Sequence, residues 1–197
     1  MAQSLSFGEH LVLRSYTGKA FGQVLAQNLG LKSLHILTNN TSICAGLVGA
    51  MGAGYLDLEG QRQLKVTTFG APEEVPPLKP QEEAVALIFG GQATPEVNYG
   101  LTKNALKALA EANYPGAIFF HLRVWGPGMV AKAAQEDPAI ARYLQQKKNL
   151  FSATYDSQAN VVRVWRVAVT EGRQVNAEEL VKLSPTPTWE TLLKRSL

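Results

Sequence analysis

Three histidines (His10, His35 and His121) and a lone cysteine, Cys44, are the imidazoles and the thiol of this 197-residue chain. None of the histidines has a second His or Cys two, three or four positions further on, so no local metal pair exists. One sulfur also excludes a multi-cysteine zinc or iron–sulfur cluster and any internal disulfide framework. Cys44 lies in an apolar run without a nearby cation, surroundings that raise a thiol pKa and leave it inert. The nucleophile elbow G-x-S-x-G is absent. His121 reads as a structural imidazole, and the carboxylates around Glu73 and Glu82 read as solvated surface. The residues therefore offer no catalytic, cofactor-binding or metal set, and the expectation is a protein that catalyses no reaction and needs no cofactor.

The uncharged stretch Ser42–Leu56 (SICAGLVGAMGAGYL) contains Gly46, Gly49, Gly52 and Gly54. These glycines form neither G-x-G-x-x-G after a strand nor a G-x-x-x-x-G-K-[ST] loop. Their spacing instead gathers small residues near one helical face, where another backbone can approach closely. Tight internal packing is the expectation.

Two segments, HLRVW (121–125) and VRVWR (162–166), both carry R-V-W. Read as strands, they place Arg123 with Trp125, and Arg163 with Trp165, on one face each. Together with Arg166 these residues form the candidate interaction surface, since Arg and Trp anchor protein contacts. The competing reading is that each Trp packs into a core while its Arg passes over it. Residues 139–197 hold nine basic and five acidic side chains, so an acidic partner would suit this end of the chain. The dense basic and aromatic set of a single-strand binder is missing, and no nucleic-acid partner is expected.

The elements that must position these groups follow from apolar patterning. Leu11–Tyr16 reads as a first strand, 18–30 as a helix stopped by Gly30, and Leu34–Thr38 as a strand with N-cap choices at 39–42 behind it. Leu64–Phe69 and Ala84–Phe89 read as strands, Asn98–Asn113 as a helix, and Ala117–Trp125 as a further strand. A helix begins at Met129 and restarts at Asp137-Pro138. Leu150–Tyr155 and Val161–Val169 flank DSQAN as a hairpin. Asn176–Leu183 reads as a short helix because Asn176 and Glu179 resemble a capping box, and Pro187–Leu193 reads as another. Four prolines among residues 70–83 forbid a helix interior there and predict an exposed connection.

Composition bounds the class: 46% hydrophobic and 18% charged residues suffice for a packed core, and a net charge of +3 demands no polyanionic partner. The start (MAQSLSFGEHLVLRSY) lacks the basic and unbroken apolar regions of a secretory leader. No segment reaches the roughly 20 apolar residues of a membrane span. The expected organisation is one α+β domain over residues 1–197, with mixed sheets and packed helices. A three-layer α/β arrangement is the alternative.

The segments LVLRSYTGKAFGQVLAQNLGL, VNYGLTKNALKALAEANYPGAIFFHLRVWGPGMVAKAAQEDPAIARYL and SPTPTWETLLKRSL resemble the cyanobacterial CupS family. That resemblance implies a fasciclin-like fold and an accessory subunit of the type-I NAD(P)H dehydrogenase complex specialised in CO2 uptake. A larger Cup subunit would be its partner, and the cytoplasmic side of the thylakoid membrane its location. The rival from another class is a small α/β enzyme or ligand binder. Its site would lie at strand ends near Gly90-Gly91 or Gly126-Pro127-Gly128, in a deep pocket lined by His35, His121 or Cys44.

Overall fold

The computed structural model describes residues 4–57 and 60–196. The first three residues of the start read for a leader lie outside that range. A capping box opens the chain: Ser6 Oγ accepts from Glu9 N–H at 3.3 Å, and Glu9 Oε2 accepts from Ser6 N–H at 2.8 Å. Helix α1 (Phe7–Gln23) starts there and absorbs both the strand expected at Leu11–Tyr16 and the later helix start at Gly18. Its buried residues include Leu13, Arg14, Thr17 and Phe21, a helical period that overrides the short apolar run. A π-helical turn, Val24–Asn28, continues it, and Gly30 at φ +66° stops it as expected.

Helix α2 (Ser42–Leu56) is capped by Thr41 and packs along α1. Glycine is required where the two backbones meet. A Cβ on Gly22 would stand 2.1 Å from the Met51 oxygen, and one on Gly54 would stand 2.3 Å from the Lys19 oxygen. The expected internal packing of the glycine-rich stretch thus falls on Gly54, with Gly18 and Gly22 as its counterparts across the contact.

Seven strands make one sheet: β1 (Ser33–Asn39), β2 (Gln63–Phe69), β3 (Ala84–Ile88), β4 (Ala117–Phe120), β5 (Leu150–Asp156), β6 (Val161–Thr170) and β7 (Arg173–Leu183). Their order is β2-β1-β3-β4-β5-β6-β7. The first five run parallel, and β6 and β7 are antiparallel additions. Every residue of β3 and β4 is buried, as befits parallel strands covered on both faces. One face is packed by α1, α2 and α7 (Pro187–Arg195) through Phe21, Leu47, Met51 and Trp189. The other is packed by α3 (Pro95–Glu111), α5 (Met129–Glu136) and α6 (Pro138–Gln146) through Leu101, Leu109, Val130 and Ile140. The architecture is therefore the three-layer α/β alternative rather than α+β, and it is not fasciclin-like.

Two further expectations are corrected. Strand β4 ends at Phe120, where its pairing with β3 and β5 stops. His121 then caps a short helix, α4 (Leu122–Trp125), so the expected strand through Trp125 is half helix. Residues 176–183 form most of β7 instead of a helix. Asn176 accepts from Trp125 Nε1 at 3.0 Å, and Glu179 pairs with Arg163 at 3.0 Å, so neither caps anything. The hairpin around DSQAN and the restart at Asp137-Pro138 stand as read. Residues 70–83 cross from β2 to β3 mostly exposed, anchored by buried Leu78.

One consequence of the strand order positions the site. From β1 the chain crosses through α2 to β2 on one side, and from β3 it crosses through α3 to β4 on the other. The loops leaving β1 and β3 diverge at their carboxyl ends, and such a reversal opens a crevice in doubly wound sheets.

Candidate functional site

The crevice is there. A cavity of about 560 Å³ opens at the carboxyl ends of β1, β3 and β4, with Gly90 and Gly91 in its floor. Both glycines carry positive φ (+153° and +68°), which the tight exit from β3 demands. A Cβ on Gly91 would stand 2.7 Å from Thr41 Oγ1 and 3.1 Å from Cys44 Sγ, so the floor lies against the start of α2. The start of α3 borders the same space through Ala93 and Pro95, below the Thr94 cap. Two helix amino termini, of 15 and 17 residues, therefore lend partial positive charge to one cavity. Asn39 braces the floor, donating to the Gly90 carbonyl at 2.7 Å and to Asn98 Oδ1 at 2.9 Å.

A second cavity of about 430 Å³ adjoins the first, between α1, α4, β5 and the end of α7. Both cavities count Arg14, Arg123 and Pro127 among their wall residues, so the two guanidinium side chains stand at the junction. His10 adds a third basic group in the first cavity. Among the described residues, neither wall includes an aspartate or a glutamate.

Arg14 is the unusual member. It sits on the buried face of α1 with 6% of its surface exposed, yet no acidic group appears among its ionic neighbours. Burial, and then the like charge of Arg123, pull its pKa down to about 10. A buried charge without an opposite partner is costly, and proteins retain one where something else satisfies it. Arg123 is carried by α4, whose start is fixed by His121: its Nδ1 accepts from Arg123 N–H at 3.3 Å. The Arg123 guanidinium donates to the Ser196 carbonyl at 3.3 Å, at the end of α7. His10 is held below 6.5 by partial burial, then by Arg14 and Arg123.

The residues nominated from sequence fall elsewhere. His35 lies near the amino end of β1, where Nε2 meets Thr67 Oγ1 at 2.8 Å and Nδ1 stands 3.8 Å from Glu82. His121 is buried behind the cleft, its pKa pushed well below 6.5 by desolvation and then by Arg14 and Arg123. Cys44 is buried, and burial pushes its thiol up. None of these three is among the wall residues of the two cavities. The glycine segments of the same reading do fall at the cleft: Gly90 and Gly91 in the first cavity, Gly126 and Pro127 in the second. Among the described residues, no group of three or more His, Cys, Asp and Glu gathers to hold a metal.

The proposed Arg/Trp surface is not assembled. Trp125 is buried, stacks on Phe120 at 5.6 Å and belongs to α4. Trp165 is half-buried and donates to Thr154 Oγ1 at 2.8 Å. Arg163 pairs with Asp156 at 2.7 Å and with Glu179, while Arg166 pairs with Glu178 at 2.5 Å. Only Arg123 reaches the cleft. His10 and Arg14 escaped sequence reasoning because their segment was assigned to no element or to a strand. The Ser6-x-x-Glu9 capping box is the signal that puts Arg14 on a helical face with Thr17 and Phe21.

A family model described as "Uncharacterized protein" matches residues 10–192. No curated protein matches the chain. Among solved structures, the chain is similar to the leucine binding protein LivK from Thermotoga maritima. The TM-score is 0.51 at 16% identity, covering 74% of this chain and 38% of that one. It is also similar to an ABC transporter solute binding protein from R. palustris in complex with benzoate, with a TM-score of 0.47 at 12% identity, covering 87% of this chain and 65% of that one. The first likeness is one of α/β fold, and the chain spans 38% of that protein's length. The CupS resemblance is overturned: neither the family model nor the fold supports CupS, a fasciclin-like structure, a CO2-uptake dehydrogenase complex, a larger Cup partner or a thylakoid location. It rested on length, composition and element order, which helix-rich α/β chains share widely. Among the described residues, no helix is long and apolar enough to cross a membrane.

Proposed function

The chain belongs to the family whose model spans residues 10–192, and from that premise and the cleft we propose that it binds a small organic anion at the carboxyl ends of its parallel strands. The observation that carries the reading is Arg14, a largely buried residue in the wall of a solvent-reachable cavity with no acidic partner among the described residues. Arg123 and the starts of α2 and α3 add positive potential at the same place, and His10 adds to it when protonated. A planar oxyanion suits two guanidinium forks better than a point charge does. The leucine binding protein of similar fold is a precedent for small-ligand binding on this kind of scaffold.

The test is a titration of labelled protein with acetate and butyrate, followed by amide NMR. Saturable shifts at Gly90, Gly91 and Arg123, abolished by Arg14→Met, are the expected result. Absence of any saturable shift at these amides would sink the reading.

A further inference from the structure

The second cavity differs from the first in what its wall offers. Leu13, Leu122, Ala153 and Leu193 present hydrocarbon. Its polar side chains already have partners within the protein. Thr17 donates to the Leu13 carbonyl at 2.8 Å and accepts from Trp189 Nε1 at 3.1 Å. Thr154 accepts from Trp165 Nε1, and the Tyr155 hydroxyl bonds Asn160 at 3.1 Å. What remains is an apolar chamber with two cations at one end, next to a more polar chamber that holds His10, Asn98 and Gln92.

From this juxtaposition we infer that the ligand is an aliphatic carboxylate without an amino group. Its carboxylate bridges Arg14 and Arg123, and its hydrocarbon tail lies in the chamber between α1, α4, β5 and α7. The assignment rests on the anion-binding reading and sharpens it. The tail follows from burial: each methylene moved out of water into such a wall favours binding, about four-fold per group at best. Exclusion of an α-amino group follows from charge. An ammonium beside the carboxylate would enter a wall with the cations Arg14 and Arg123 and, among the described residues, no aspartate or glutamate. Its desolvation would go uncompensated while like charges repel it. A phosphate or sulfate would satisfy the two cations but would leave the apolar chamber unfilled.

The experiment measures dissociation constants of wild-type protein for acetate, butyrate, hexanoate, 2-aminohexanoate and inorganic phosphate under one set of conditions. Hexanoate is expected to bind about 10–100-fold more tightly than acetate, and at least ten-fold more tightly than 2-aminohexanoate or phosphate. Arg14→Met and Arg123→Gln should each weaken hexanoate at least ten-fold. If acetate and hexanoate bind equally, and both need Arg14, the anion site stands and the tail assignment falls. If 2-aminohexanoate matches hexanoate, the exclusion of an amino group falls. If no anion binds at all, the underlying reading falls, and the ligand class with it.

Discussion

Arg14 and Arg123 stand in the walls of the same two adjoining cavities, and neither forms an ion pair with a carboxylate among the described residues. One comes from the first helix and the other from a single turn after β4, so the fold brings two like charges together at the ends of its parallel strands. Burial, and then the like charge of Arg123, disfavour the charged form of Arg14, a cost that an anion held between them would offset.

Removing the largely buried charge of Arg14 should therefore stabilise the protein while abolishing its binding. Arg14→Met replaces a buried charge with an apolar side chain of similar length. It is expected to raise unfolding stability by about 1–3 kcal/mol. Chemical denaturation of both proteins without ligand checks this. A loss of stability would mean that Arg14 has a structural role instead.

His10 reports the charge in the cleft. Partial burial, and then Arg14 and Arg123, hold its pKa below 6.5, while Glu9 beside it works weakly in the opposite direction. An anion between the two arginines cancels part of their field, so the His10 pKa should rise when the cleft is filled. By linkage, binding takes up protons, and affinity for a carboxylate should increase as pH falls through the His10 titration. This holds as long as the ligand itself stays ionised. NMR titration of the ring with and without saturating hexanoate measures both. An unchanged His10 pKa would place the ligand elsewhere.

The close contact of α1 and α2 gives a paired test of packing. Gly22→Ala would drive a methyl group to 2.1 Å from the Met51 oxygen, and a rigid backbone cannot step aside cheaply. A loss of about 1–3 kcal/mol or more is expected. Gly49→Ala on the same helix pair meets nothing within 4 Å. It should stabilise the protein by about 0.5–1 kcal/mol through helix propensity. Thermal unfolding of the two variants separates them by sign.

Much of the fold could be read from residues alone, and the failures have physical causes. Gly30, Pro138, DSQAN and the apolar runs of β1, β3 and β5 mark their own boundaries by local chemistry. Leu11–Tyr16 misled because a short apolar run has no period of its own, whereas the capping box five residues upstream decides its state. Asn176–Leu183 misled because side-chain capping by Asn176 and Glu179 competes with pairing to β6, and the sheet wins through Trp125 and Arg163. The pairing of Arg123 with Trp125 lost its strand, since β4 ends at Phe120, whereas Arg163, Trp165 and Arg166 do lie on β6. Gly90-Gly91 was legible as a strand-end site. Arg14 was not, because its importance lies in what α1 packs against, and that is long-range information.

The most direct test of the account is a crystal structure grown in hexanoate. The account predicts density for the carboxylate within about 2.7–2.9 Å of guanidinium nitrogens of both Arg14 and Arg123, with the chain running between Leu13 and Ala153. Both arginines turned away from the ligand, or hexanoate seated outside the two adjoining cavities, would contradict it.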